Sequence, residues 1–330
     1  MNWLQIIFGN EYILLITGLI TLLVSGNYLV KGGVELAKTF KLSKLVIGVT
    51  IVSFGTSAPE LLVSLSAAID GKPDISIGNV LGSNISNIAL VLALTATILP
   101  IPVHRNTIRI DWPFMMLSTI VLYLFFINDF GLFPTENAVL QRWEGAVLFS
   151  MLIAFIFYSI RKSRKNRELE KIEKPSMNIW LAIGLVLVSC LGLIYGAKWL
   201  IKGASDIAAS FGISDRVISL TVVAFGTSVP ELATSVIAAF KKEMDISVGN
   251  IVGSNIFNIL AILGITSMVT PIKINPQIII SDIYWVIGIS LLLFLAMLPI
   301  KKPVIKRYKG FIMLLAYVIY TYVVISMKEI

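Results

Sequence analysis

The sequence predicts an all-α membrane protein, with ten transmembrane helices arranged as two inverted five-helix repeats. Three observations carry that expectation. First, 57% of the 330 residues are hydrophobic and 14% are charged, with a mean hydropathy of +0.89. Soluble domains carry about 25% charged residues. Second, apolar stretches of roughly 20 residues recur along the chain, the length a helix needs to cross a bilayer. Third, the stretch at 48–101 returns at 219–272, with a constant offset of 171 residues and about half the positions identical.

Ten segments follow in order. The first, 12–37, is apolar until Gly32 and Glu35 near its end. Segment 44–69 carries FGTSAPE, and segment 74–100 carries GNVLGSNISN. Segments 108–127 and 140–160 are apolar and hold no motif. A polar stretch at 161–178 is too short for a soluble domain and divides the chain into near-equal halves. Segments 179–207, 215–240, 245–270, 279–298 and 310–327 then repeat the order, close to the first five shifted by 171. Gly203 and Asp206 match Gly32 and Glu35, and Phe211 matches Phe40. The segments are expected to be helices because backbone groups in lipid must be satisfied within the segment. The organisation is thus a first repeat, 1–160, with its core at 44–101, a cytoplasmic linker at 161–178, and a second repeat, 179–330, with its core at 215–272.

Orientation follows from the basic residues. With the N-terminus outside, 20 of the 27 Lys and Arg residues fall in cytoplasmic loops. Both termini are therefore expected outside and the linker inside, in a multi-pass protein of the cell membrane. Five spans is an odd number, so the second repeat enters the membrane upside down. Secondary transporters are often built this way, with sites near the midplane between repeats. The net charge of +8 sits in short loops, so a nucleic-acid partner is not expected; the lipid bilayer is. A single cysteine, Cys190, and a single histidine, His104, exclude a Cys/His metal cluster and argue against thiol or Ser–His catalysis. The N-terminus lacks a basic region and a small-residue cleavage site, so no signal peptide is expected.

Two glutamates carry the chemistry. Glu60 and Glu231 lie near the middles of apolar segments, where an ionisable residue costs about 2.5–3.5 kcal/mol or more. Each follows a proline, Pro59 or Pro230, that removes a backbone donor and crowds the carbonyl of Gly55 or Gly226. The expected result is a broken helix with carbonyls of 53–56 and 224–227 freed toward a cavity. Ser53, Thr56, Ser57 and Glu60 share helical spacing, as do Thr227, Ser228 and Glu231; Ala224 replaces the serine. In the second motif Ser83 and Asn87 lie four apart, as do Ser254 and Asn258. Gly78, Gly82, Gly249 and Gly253 read as close-packing positions. Collected between repeats, these groups are hard oxygen donors and suit hard cations. Calcium takes 6–8 such oxygens, and two carboxylates neutralise it.

The segments holding GTSAPE, GNVLGSNISN, GTSVPE and GNIVGSNIFN resemble the α-repeats of the calcium/cation antiporter superfamily, in its sodium/calcium exchanger branch of prokaryotic type. The resemblance covers the whole chain in layout. It implies calcium ligands at Glu60 and Glu231, with backbone oxygens of Thr56 and Thr227. It implies sodium ligands at Ser57, Ser83, Asn87, Ser228, Ser254 and Asn258, with main-chain help from Ser53 and Ala224. No cofactor is expected beyond the transported ions, no enzymatic activity is expected because no nucleophile–base pair or phosphate loop is present, and the protein is expected to function as a monomer. Some members, including potassium-dependent ones, have Asp where this chain has Asn258, which argues against potassium dependence. The proton-coupled branch carries an acidic residue in the GN motif that is missing here. The expected function is exchange of Ca²⁺ for Na⁺ by alternating access, with the first and sixth segments as a sliding gate. The rivals are H⁺/Ca²⁺ or other divalent exchange, a cation channel, and an intramembrane enzyme. Differences such as Ser53 against Ala224 and Ser86 against Phe257 imply that the two sides are not equal.

Overall fold

A computed structural model describes residues 10–127, 138–165, 174–211, 226–301 and 303–327. It is helical nearly throughout. The helices are α1 (Glu11–Phe40), α2 (Lys44–Thr56), α3 (Ala58–Ile69), α4 (Pro73–Ile98), α5 (Thr107–Phe126), α6 (Arg142–Lys165), α7 (Ile179–Ser210), α8 (Val229–Phe240), α9 (Met244–Val269), α10 (Ile278–Met297) and α11 (Arg307–Met327). Among the described residues seven helices are long and apolar enough to cross a membrane, or eight when α2 and α3 count as one bent span. Helix α8 has 12 residues and begins at Val229, after the break at Ser228; residues 215–225 of the expected segment 215–240 lie outside the described residues. Helix α6 continues to Lys165, past the expected start of the linker. Its last turn holds Lys162, Arg164 and Lys165, cations that suit the negative end of a helix.

The internal repeat is visible in these elements. Helices α4 and α9 both have 26 residues, α5 and α10 both have 20, and α3 and α8 both have 12. Both α4 and α9 contain a π-helical turn that begins at the motif asparagine, Asn87–Leu92 and Asn258–Leu263. Such turns cluster at functional sites. Two short antiparallel pairs, which sequence reading missed, tie the halves together. Strand β1 (Ile101–Pro102) pairs with β4 (Val304–Ile305), and β2 (Val139–Leu140) with β3 (Ile272–Lys273). Ile101 and Ile272 are 171 residues apart, so each copy hands its strand to the other half.

Burial sorts the helices into centre and rim. The apolar window of α9 is 89% buried and that of α4 is 72% buried, against 28% for α7. The larger apolar cluster joins α4, α5, α6, α9 and α10 through residues such as Leu81, Leu92, Leu122, Leu152, Leu260 and Leu293. A smaller one joins α1, α2, α7 and α8 through Leu22, Leu29, Val52, Val186, Leu193 and Val229. Helices α1 and α7 touch backbone to backbone. A Cβ on Gly18 would lie 2.8 Å from the carbonyl of Gly196, and one on Gly203 would lie 2.6 Å from that of Glu11. Their outer faces carry Ile16, Leu19, Leu23, Leu187, Val188 and Leu191, all exposed, as a lipid-facing surface requires. Buried Glu35 at the end of α1 accepts from the N–H of Ser176 at 2.6 Å and pairs with Lys38 at 3.1 Å, which fastens the end of the linker.

Candidate ion site

The site is built where α2 breaks into α3. Ser57 has φ −86° and ψ 6°, and the two helices meet at 47°. Pro59 sits in the first turn of α3, where its missing N–H costs nothing. Glu60 follows in that turn, so its carboxylate faces the positive end of a helix. Helix α8 repeats the arrangement with Ser228 at φ −87° and ψ 2°, then Pro230 and Glu231. Glu60 and Glu231 are both fully buried and lie within electrostatic reach of each other.

The expected freeing of carbonyls holds only in part. Ser57 N–H still donates to the Ser53 carbonyl at 2.9 Å, while Pro59 leaves the Gly55 carbonyl without its usual helical donor. The Ser53 hydroxyl turns away from the glutamates. It donates to the carbonyls of Gly48 at 2.7 Å and of Asn250 at 3.0 Å, and so stitches α2 to α9. Thr56 Oγ1 donates to Asn250 Oδ1 at 3.0 Å and lies 3.4 Å from Ser254 Oγ. Ser57 Oγ donates to Glu231 Oε1 at 3.0 Å, and Ser254 Oγ reaches the same atom at 3.4 Å. A hydroxyl of the first copy thus holds the carboxylate of the second. Ser83, Asn87, Ser228 and Asn258 are buried, and Thr227 is half-buried. Ala224 lies outside the described residues.

What distinguishes the site is a set of orphaned acceptors. Among the described residues, buried carboxylate and amide oxygens without a hydrogen-bond partner belong to Glu60, Glu231, Asn87, Asn258 and Asp111. Four of these five residues are the motif positions; Asp111 lies near the start of α5, at the end of its π-helical turn Thr107–Asp111. Buried polar oxygens without partners are costly and rare in native interiors. Both oxygens of Glu60, one of Glu231, those of Asn87 and Asn258, and the Ser228 hydroxyl make six open oxygens at the expected ligand positions. Cations remove that cost by coordination. No cluster of three or more His, Cys, Asp or Glu occurs among the described residues, so the donor set is two carboxylates plus neutral oxygens. Ser57→Ala is expected to weaken apparent calcium affinity about tenfold by freeing Glu231 Oε1, as loss of a positioning bond commonly does. Ser254→Ala, whose bond is longer, is expected to do less. Calcium half-saturation in a flux assay checks both.

Sequence reasoning missed the asparagines that hold these groups. Asn79 Nδ2 donates to Ser64 Oγ at 2.9 Å, and Asn250 Nδ2 donates to Ser235 Oγ at 3.1 Å, the same bond in each copy. Asn84 and Asn255 bridge α4 and α9. All six are identical between copies, which is the signal that marks them. The packing expectation fits Gly249 and Gly253, which lie against the backbone of α2. No described residue comes as close to Gly78 and Gly82, whose counterpart of α2 falls at 215–225, outside the described residues.

Apolar helices enclosing buried, unsatisfied oxygen donors, two of them carboxylates, define a membrane cation transporter. The sequence pattern of the family described as "Sodium/calcium exchanger protein" matches residues 10–161 and 181–326. The chain is 38% identical to the putative antiporter CaxA of Alkalimonas amylolytica, over 95% of this chain and 98% of that one. It is 30% identical to the sodium/calcium exchanger MaX1 of Methanosarcina acetivorans, over 93% and 96% of the two chains. A solved structure of the sodium-calcium exchanger NCX_Mj matches with a TM-score of 0.78 and 32% identity, over 94% of this chain and 96% of that one. The chain belongs to the sodium/calcium exchanger family. It is a multi-pass membrane cation antiporter, not an enzyme, and its ions are cargo rather than cofactors.

Proposed function

We propose that the protein exchanges Ca²⁺ for Na⁺ by alternating access, with calcium held between Glu60 and Glu231. The observation that carries this reading is the buried carboxylate pair with open oxygens. Main-chain oxygens of Thr56 and Thr227 complete the calcium shell. Sodium takes overlapping positions at Ser57, Ser83, Asn87, Ser228, Ser254 and Asn258, with the backbone of Ser53 and Ala224. Two carboxylates cancel the charge of one Ca²⁺, which lowers the cost of burying it. Emptied, they leave two bare charges in a low-dielectric interior, at about 2.5–3.5 kcal/mol or more each. The unloaded carrier therefore resists crossing, and exchange is favoured over uniport.

The architecture in this reading is ten spans in two inverted repeats, 1–160 and 179–330, with the linker 161–178 in the cytoplasm and both termini outside. A monomer suffices, because both halves of the site come from one chain. Helices α1 and α7 slide over the site as the gate. The close backbone-to-backbone contact of α1 with α7 supports this, since it lets the two move as one unit over α2 and α8. Purified protein in sodium-loaded vesicles is expected to take up radiolabelled calcium, and uptake should fall to background when internal sodium is replaced by choline. Uptake driven by a pH gradient without sodium would replace this reading with H⁺/Ca²⁺ exchange. A calcium current without counter-ion would make the protein a channel.

A further inference from the structure

Asn84 and Asn255 stand in the two GSN triplets but outside the ion set above. They are 1% and 2% exposed and meet where α4 crosses α9. Asn84 Nδ2 donates to the main-chain carbonyl of Asn255 at 3.4 Å, and Asn255 Nδ2 donates to that of Asn84 at 3.2 Å. Two residues 171 positions apart thus exchange the same bond. A main-chain carbonyl can only accept, so each amide must turn its nitrogen toward it. Each Oδ1 is forced to the opposite side. There Asn87 Nδ2 donates to Asn255 Oδ1 at 3.1 Å, and Asn258 Nδ2 donates to Asn84 Oδ1 at 3.0 Å. An amide whose nitrogen is held this way turns its oxygen to the opposite side, with one N–H committed to the bridge and the other beside it. The Oδ1 atoms of Asn87 and Asn258 are buried and have no hydrogen-bond partner among the described residues. Orientation therefore passes from backbone to site with one solution at each step.

We infer that Asn84 and Asn255 are positioning residues that fix which end of Asn258 and Asn87 faces the ions. The control is crossed between copies. Asn84 on α4 sets Asn258 on α9, and Asn255 on α9 sets Asn87 on α4. An unheld amide would flip and turn its NH₂ donors toward a cation, which repels it. The arrangement also explains why both positions are Asn. An ionised carboxylate at 258 would face Asn84 Oδ1 as acceptor against acceptor, with no proton between them. The bridge thus accompanies a site restricted to two carboxylates.

The inference rests on the exchanger reading and on Asn87 and Asn258 as sodium ligands. Its test is a double-mutant cycle in the sodium-driven calcium uptake assay. Asn84→Leu is expected to raise the half-saturating sodium concentration about tenfold, with a smaller change for calcium. Adding it to Asn258→Leu should cost nothing further, because Asn84 acts through Asn258. An additive loss, or an unchanged sodium dependence in Asn84→Leu, would overturn the inference. Should the leucine variants fail to fold, Asn255→Ala with Asn87→Ala tests the same logic from the other copy. A wild-type protein without sodium-driven uptake removes the exchanger reading itself. A wild type that exchanges, with Asn84→Leu unchanged, removes only the positioning role.

Discussion

Glu60→Gln is expected to abolish calcium transport, and Glu231→Gln to do the same. Each substitution keeps the shape of the side chain and removes one of the two charges that oppose the cation. Breaking a buried charge pair by removing one partner costs about 3–5 kcal/mol, or roughly a hundredfold to several-thousandfold loss of affinity. The amide also places an NH₂ donor where the cation needs an acceptor oxygen. The two variants are not equivalent. Among the described residues neither oxygen of Glu60 has a hydrogen-bond partner, so its acceptor capacity is open to the ion. Glu231 already accepts from Ser57 and Ser254, so Glu231→Gln also disturbs those hydroxyls. Radiolabelled calcium uptake measures the loss. Thermal unfolding gives a second readout, because a bound ion stabilises only a protein that binds it. The wild type should melt higher with added calcium, and neither variant should. Near-normal flux in either variant would show that the carboxylate pair is not the calcium site.

Gly253→Ala is expected to be a strongly damaging single-methyl change beside the site. The added Cβ would lie 2.6 Å from both Val49 Cα and the Val49 carbonyl, and against the Ser53 hydroxyl. Val49 is backbone in a packed helix and cannot rotate aside, so α2 must move off α9. That movement pulls on the Ser53 and Thr56 bonds to Asn250, which sit next to the break in α2. Overpacking of this kind costs about 1–3 kcal/mol, and flux should fall along with the melting temperature. Gly288→Ala is the control. Gly288 is exposed on α10 and a Cβ there meets nothing within 4 Å, so the change should be neutral or slightly stabilising. Equal melting temperatures for the two variants would mean that α2 and α9 are not in close contact at Gly253.

Much of the framework was legible because lipid leaves few choices. Apolar length marked the segments, and most boundaries agree to within a few residues; α4 spans Pro73–Ile98 against an expected 74–100. The largest shift, at the end of α6, arose because a charged final turn reads as linker but suits a helix C-terminus. The glutamates were legible because a charge in an apolar run has no structural reason to be there. Asn79, Asn84, Asn250 and Asn255 were not. A buried amide reads alike as a ligand, a helix bridge or a spacer, and only its hydrogen bonds tell these apart.

By itself the sequence determined the class of protein, the repeat, and which residue types meet in its interior. Composition, length and the 171-residue offset are local or periodic properties, and they survive in one dimension. The tertiary structure alone decided which way each polar group faces. Ser53 turned to the α9 backbone, Ser57 reached the other copy's Glu231, and Asn84 faced its counterpart Asn255. Hydrogen-bond direction depends on what lies opposite. In a protein folded from two copies, the group opposite lies about 170 residues away.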